Sequence, residues 1–176
     1  MTFVGGETGP WRIIRNDPIR GDGLAAAQRL AVAENGEPPR GVWTLRGAVS
    51  NERYVNSREQ ADLRERSPSL GRREATSAAL IPVRKSEAWW ALPQDVRREI
   101  FEERSRHIAT GLEYVPAVAR RLHHGRDLAE PFDFLTWFEY APPDANAFEE
   151  LVGRLRETEE WTYVVREVDL RLERNG

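Results

Sequence analysis

Apolar residues in the second half of the chain recur with two different periods, one typical of strands and one typical of helices. Alternation predicts four strands, over 76–85, 118–126, 132–140 and 161–172. Helical spacing predicts one helix from Pro93 to about Thr110, ended by Gly111, and a second helix after Pro142-Pro143-Asp144. The resulting order, β-α-β-β-α-β, is the ferredoxin-like unit, in which an antiparallel sheet carries both helices on one face.

The same patterns assign faces to these elements. On the first strand Ala79, Ile81, Val83 and Lys85 share one face, and Pro82 favours an edge position or a bulge. The helical wheel places His107 on the apolar side of its helix. The sheet face opposite the helices is predicted to pack on a second sheet or to hold a ligand.

The first half of the chain is less regular. Residues 11–14 and 42–49 are predicted strands, and 24–32 fits a helix or a strand. Ser57-Arg58-Glu59-Gln60 has the spacing of a capping box before a short polar helix. We therefore expect an α+β protein with a truncated ferredoxin-like subdomain over 1–75 and a complete one over 76–176.

Composition narrows the chemistry. The 176-residue chain has a net charge of −3, so a nucleic-acid partner is not expected, and no apolar run approaches the length of a membrane span. The first residues lack a signal-peptide pattern, which predicts a cytoplasmic protein. Without cysteine, thiolate catalysis and iron–sulfur clusters are excluded. The only histidines are His107, His123 and His124.

His107 is the first candidate for site chemistry. A histidine on an apolar helix face is usually a core residue, and the alternative here is an axial ligand of a haem iron. A ligating histidine needs an acceptor for its second ring N–H. Glu157, Glu159 and Glu160, between the second helix and the last strand, are the candidates, and a solvated helix end is the alternative for them.

Two basic residues and an aromatic pair are further candidates. Alternation sends Arg120 and Arg121 to opposite faces of a strand, so one of them points inward and needs an anion or a carboxylate. Lys85 is the single lysine of the chain and lies on an inward strand face, where it suits a propionate or phosphate. Trp89-Trp90 could wall a flat cofactor or form core and dimer packing.

Several stretches together resemble the chlorite dismutase family of haem b proteins, in particular its short, dimeric branch. The resemblance extends from about Trp11 to Arg174 and is strongest after Thr76. The segments that carry it are 45–47, Arg53-Tyr54, 80–90 (LIPVRKSEAWW), 106–109 (RHIA), 112–120 (LEYVPAVAR), 131–140 (PFDFLTWFEY) and 158–164 (TEEWTYV).

The resemblance implies a role for each candidate. It makes His107 the axial ligand of one haem b per subunit and Arg120 the arginine on the opposite side of the haem. It makes Glu160, ahead of Glu157, the acceptor for His107. It makes Lys85 and Tyr54 contacts of the haem propionates and places Trp89 against the haem. Where short relatives can offer a glutamine, this chain has Ser67-Pro68-Ser69-Leu70.

The implied protein is a homodimeric chlorite O2-lyase, which converts chlorite to chloride and dioxygen without an external reductant. Arg120 would hold the hypochlorite formed after the first bond is broken. The alternatives are coproheme decarboxylase, a peroxidase-like enzyme, and a non-enzymatic haem-binding protein on the same fold. Arg120 favours the dismutase, because the decarboxylases usually have a non-basic residue there.

Overall fold

A computed structural model describes residues 1–34, 38–49, 66–115 and 117–174. Nine strands form one sheet within this part of the chain. They are β1 (Thr2–Gly6), β2 (Trp11–Arg20), β3 (Arg29–Ala33), β4 (Trp43–Arg46), β5 (Ala48–Val49), β6 (Ser77–Lys85), β7 (Val118–His124), β8 (Phe134–Tyr140) and β9 (Val164–Glu173).

The sheet closes on itself. Its strand order is β4-β1-β3-β2-β9-β6-β8-β7-β5, and all the pairings are antiparallel. The two ends of this order, β4 and β5, are separated in sequence by Gly47 alone, so the two edges of the sheet lie side by side. Met1 and Gly47 exchange two hydrogen bonds, each 3.0 Å long, which continue the pairing of β1 with β4 up to the point of closure.

Helices cover the outside of this barrel. They are α1 (Glu87–Ala91), α2 (Gln94–Arg98), α3 (His107–Glu113) and α4 (Ala145–Arg156), with a π-helical turn over Glu99–Arg104 and 3-10 turns at Arg126–Leu128, Pro142–Asp144 and Glu159–Tyr163. The order from β6 to β9 is the predicted β-α-β-β-α-β unit, so the expected fold class is confirmed. No helix in the described ranges is long and apolar enough to cross a membrane.

Two apolar cores lie on the two faces of the sheet. The outer core joins Ala79, Ile81 and Val83 of β6 to Phe148 and Leu151 of α4. This confirms the predicted face of β6, because alternate residues of that strand belong to the inner core. The inner core fills the barrel and includes Phe3, Trp11, Leu80, Trp137 and Leu170. Several residues of the outer core also line an apolar cavity beneath the helices.

Three sequence predictions about elements are wrong in detail. Pro82 lies in a central strand, because β6 pairs with both β8 and β9; the ladder to β9 has no pair at Ile81 and Pro82. The last strand begins at Val164, and Trp161 lies in the preceding 3-10 turn. The predicted continuous helix from Pro93 to Thr110 is broken at Arg106, and Gly111 lies inside α3 rather than ending it.

The N-terminal half contributes β1 to β5, and residues 29–33 form a strand rather than a helix. The predicted division at residue 75 stays a prediction; the sheet itself is continuous, since β2 of the first half pairs along β9 of the second. The capping box at Ser57 and the candidate Tyr54 lie outside the described residues.

Candidate functional site

An apolar cavity lies between the outer face of the sheet and the helices. Its unfilled space measures about 1190 Å³, part of which is open to solvent. Strands β6, β7 and β8, helices α3 and α4, and the turn before β9 all contribute to its wall. The titratable residues that line it are Lys85, His107, Arg120, His124, Glu160 and Glu167. The cavity is large enough for a cofactor, and its few charged groups would orient one.

The end of β6 and the start of α1 place Lys85 and Trp89 at the cavity. Ser86 caps α1, since its hydroxyl accepts a hydrogen bond from the Trp89 backbone N–H at 3.3 Å. Lys85 and Trp89 therefore lie one helical turn apart, with the Lys85 ammonium 4.5 Å from the Trp89 ring centroid. Both side chains are almost fully buried.

A break in the helical segment places His107. The π-helical turn over Glu99–Arg104 ends at Ser105, whose N–H donates to the Ile100 carbonyl five residues back at 3.1 Å. Arg106 then adopts a left-handed conformation, with φ of 51°, and α3 begins at His107. The His107 ring stacks on Phe101, with ring centroids 4.3 Å apart. His107 is thus the first residue of a new helix, not a position along a longer one.

His107, Glu160 and Lys85 form one chain of hydrogen bonds. His107 Nδ1 lies 2.7 Å from Glu160 Oε2, and the Lys85 ammonium donates to Glu160 Oε1 at 2.7 Å and to the Glu160 carbonyl at 3.1 Å. Only a few per cent of the Lys85 and Glu160 side chains is exposed, against 15% of His107. One buried carboxylate therefore accepts from two partners.

Electrostatics fix the protons in this chain. Burial alone would raise the pKa of Glu160, but the charges of Lys85 and His107 and their hydrogen bonds lower it to about 2. Burial lowers the pKa of Lys85, and the charge of Glu160 opposes that effect. An ionised carboxylate only accepts, so Nδ1 of His107 carries the proton in this contact. Nε2 is then the ring nitrogen that Glu160 does not engage, and it has no hydrogen-bond partner in the described part of the chain.

Arg120 lines the same cavity from β7, together with Val118, Leu122 and His124. Among the described residues no group accepts a hydrogen bond from its guanidinium. Burial lowers the pKa of Arg120, and the negative charge of Glu102 opposes this. Arg121 points to the other face of the sheet, where it pairs with Glu34 at 2.8 Å. Within the described part of the chain, Arg120 is therefore a cavity-lining cation whose guanidinium could receive an anion.

Trp161 and Glu167 complete the wall near His107. The Trp161 ring lies nearly parallel to the imidazole, at 21°, with centroids 6.4 Å apart. Its indole N–H donates to Glu167 Oε2 at 2.7 Å. Glu167 in turn pairs with Arg156 of α4 at 2.6 Å, which compensates its buried charge.

The structure brings most of the predicted site residues together. His107, Arg120, Trp89, Lys85 and Glu160 all line one cavity. Of the three candidate glutamates, Glu160 is the one that contacts His107; Glu157 is exposed and Glu159 pairs with Arg104 at 3.0 Å. Trp90, the second tryptophan of the pair, is half-buried and stacks on Phe134, with Arg126 over its other ring surface at 4.2 Å.

Lys85 has a different partner from the propionate that the sequence suggested. Its ammonium is buried and is hydrogen-bonded twice to Glu160. A propionate would have to compete with a carboxylate that is already in contact, and the propionate role of Lys85 stays a prediction. The described part of the segment before Gly71 contributes nothing to the cavity wall, and Leu70 packs against the inner core instead.

Sequence reasoning missed several residues of this site. Phe101, Trp161, His124 and Glu167 line the cavity, and Glu102 caps α3 from outside the cavity wall. Alternation along β7 could have found His124, which shares a face with Arg120. Glu102 had no such signal, because on an unbroken helix it lies on the polar side.

The fold and the cavity together define a class: a closed ferredoxin-like α+β barrel whose helix-covered face holds a histidine–glutamate–lysine chain and an arginine that has no partner among the described residues. The chlorite dismutase family model matches residues 24–174. The chain therefore belongs to the chlorite dismutase family. Proteins of this family depend on haem.

Individual relatives agree with this assignment. The chain is 56% identical to a dimeric chlorite dismutase from Nitrobacter winogradskyi, with a TM-score of 0.93 over 99% of both chains. It is 27% identical to a mutant chlorite dismutase from Candidatus Nitrospira defluvii in complex with cyanide, with a TM-score of 0.63 over 76% of this chain and 54% of that one. A chlorite dismutase from Ideonella dechloratans is 35% identical over 89 residues, which span 51% of this chain and 29% of that protein.

The residues of the cavity fit a haem. The contact to Glu160 sets the proton on His107 Nδ1 and leaves Nε2 for a metal, which is the arrangement a ligating imidazole needs. The wall between the polar groups is aliphatic and aromatic, as a porphyrin requires, with Ile81, Val83 and Phe138 among its members. The donor chemistry and the size of the cavity therefore agree with the haem dependence of the family.

Proposed function

We propose that this protein is a haem b enzyme that converts chlorite to chloride and dioxygen. The observation that carries the proposal is the pairing, within one apolar cavity, of a carboxylate-anchored histidine with an arginine that has no protein partner among the described residues. The 56% identity to a dimeric chlorite dismutase over almost the whole chain supports the same activity.

In this proposal His107 binds the haem iron through Nε2. Glu160 accepts a hydrogen bond from Nδ1–H and so increases electron donation from the imidazole. Lys85 keeps Glu160 ionised. Trp89 lies beside Lys85 at the edge of the cavity and packs against the haem. When bound, the haem supplies the iron at which the chlorine–oxygen bond of chlorite is broken and the oxygen–oxygen bond is made.

Arg120 acts on the anions. Chlorite, hypochlorite and chloride are all negatively charged, and a guanidinium stays protonated at any working pH. Because no described residue accepts a hydrogen bond from its guanidinium, Arg120 can hold hypochlorite in the cavity until the second oxygen atom is transferred. The balance is one chlorite to one chloride and one dioxygen, so no proton or external electron is needed.

The two expected propionate contacts, Tyr54 and Lys85, differ in what supports them. Tyr54 remains a proposed propionate contact on the resemblance alone. For Lys85 the ion pair with Glu160 supports a positioning role instead.

A homodimer with one haem per subunit is also proposed. The similarity to a dimeric structure supports this, and light scattering at micromolar concentration should give twice the 20.2 kDa of one chain. A stable monomer or a larger ring would contradict the homodimer.

An oxygen electrode tests the function. Purified protein reconstituted with haem b should release dioxygen on addition of sodium chlorite, in an amount equal to the chlorite consumed. His107→Ala should lose haem and activity, whereas His123→Gln, on the opposite face of the sheet, should keep both. Oxygen below the background of free haem would contradict the proposal. Loss of propionate carboxyl groups from coproheme on addition of peroxide would indicate the decarboxylase instead.

A further inference from the structure

Glu102 joins the helical turn before His107 to the helix that begins there. Its carboxylate accepts from the backbone N–H of Ile108 at 2.6 Å and from that of Ala109 at 3.1 Å. These N–H groups belong to the first turn of α3, which has no intrahelical acceptor for them. The residue in the N-cap position, Arg106, makes no side-chain cap of its own. The cap is therefore supplied from the preceding helical turn, across the break.

The break itself is held at a conformational cost. Arg106 is one of two non-glycine residues with positive φ in the described chain. Such a conformation is unfavourable for an ordinary residue, so the surrounding contacts must hold it. The π-helical turn beside it is a second irregularity of a kind that often marks functional sites.

Other contacts of the broken segment reach the same two site residues. Ser105 is buried, and its hydroxyl accepts from the Glu160 backbone N–H at 3.0 Å. Phe101 stacks on the His107 ring. The segment from Phe101 to Arg106 therefore contacts both partners of the His107–Glu160 hydrogen bond.

We propose that Glu102 is a positioning residue for the iron ligand: by capping α3 across the left-handed break at Arg106, it holds His107 in hydrogen-bond register with Glu160. The inference rests on the proposed function, because it takes His107 as the haem ligand. Without the cap, the segment at His107 can adopt a regular helical conformation. The imidazole then loses its alignment with the Glu160 carboxylate. Glu102 does not touch the haem or the substrate in this account.

The test compares Glu102→Ala and Glu102→Gln with Glu103→Ala in haem-loaded protein. Glu103 is the exposed neighbour and serves as the matched control. The iron–histidine stretching band of the ferrous protein reports how strongly Glu160 polarises the imidazole. Glu102→Ala should shift this band to lower frequency and speed haem loss about fivefold, the factor that loss of one helix cap corresponds to. Glu102→Gln should lie between, because its amide oxygen accepts but carries no charge.

A second variant tests the break without haem. Glycine tolerates positive φ, so Arg106→Gly should raise the midpoint of thermal unfolding by roughly 2–4 °C. In a regular helix the same change would lower it, and that result would overturn the inference.

The outcomes separate the two proposals. Wild-type protein that lacks an iron–histidine band refutes the proposed function. A wild-type band that is unchanged in Glu102→Ala, with haem loss no faster than in Glu103→Ala, refutes the role of Glu102 alone.

Discussion

Glu160 receives hydrogen bonds from His107 and Lys85, and it is buried together with Lys85. Either contact alone would leave a poorly compensated buried charge, so the three residues act as one unit. Sequence reasoning identified all three. It could not decide the partner of Lys85, because alternation sets the face of a strand residue but not which side chain it meets from another element.

Lys85 should stabilise the protein even without haem. Lys85→Met removes the cation that keeps Glu160 ionised, and breaking a buried pair in this way typically costs about 3–5 kcal/mol. Urea unfolding of the haem-free variant measures the loss. The double variant Lys85→Met, Glu160→Gln should recover part of it, since no unpaired charge remains. An unchanged free energy of unfolding in the single variant would contradict this structural role and favour a propionate contact for Lys85.

His123 should make the protein sensitive to mild acid. It is fully buried on the inner face of β7, against Phe3, and burial lowers its pKa from 6.5 to about 4. At these pH values His123 therefore binds a proton in the unfolded chain but not in the folded chain. The free energy of unfolding then falls as the pH drops from 6.5 towards 4. From the shift, about 2 kcal/mol of unfolding free energy should disappear between pH 7 and 5.

Urea unfolding at both pH values checks this contribution. His123→Phe removes the titration, so the variant should lose about 2 kcal/mol less than the wild type over the same interval. An equal loss in both proteins would assign the acid sensitivity to other groups.

At the scale of elements, periodicity predicted the β-α-β-β-α-β order and the face of β6 that the outer core and the cavity share. It failed where one residue overrides the pattern. A helical wheel assumes constant rise and turn, and the left-handed residue Arg106 breaks both. The wheel therefore put His107 on the apolar side but could not show that a new helix begins there, nor that Glu102 caps it. The central position of Pro82 was likewise hidden, because its place in the sheet depends on pairings between distant strands.

Two adjacent arginines of strand β7 allow the anion site to be tested with a matched pair of variants. Arg120 and Arg121 are adjacent, but only Arg120 lines the cavity, while Arg121 is paired with Glu34 on the other face. Arg120→Ala should keep haem, release less oxygen per chlorite and leak hypochlorite, which a chlorination probe captures. Arg121→Ala should behave like the wild type. The reverse result would move the anion site to the other face of the sheet.

At the scale of the whole molecule, the two faces of the sheet have different roles: one supports the barrel and the other lines the cavity. Its inner core, joined by strands from both halves, provides the rigid wall, and its outer face supplies alternate residues to the cavity. The closure through Gly47 was not predictable, because it depends on β5 pairing with β7 more than seventy residues away, along His123 and His124. Rigid support of this kind is what a site needs to hold a reacting anion in a fixed position.

In the proposed reaction both oxygen atoms of the product come from one chlorite kept inside the cavity. Haem-loaded wild-type protein, mixed with chlorite labelled with ¹⁸O at both positions in unlabelled water, tests it by mass spectrometry of the gas. The account predicts dioxygen labelled at both atoms, in an amount equal to the chlorite consumed. Dioxygen that contains oxygen from water, or no dioxygen at all, would contradict it.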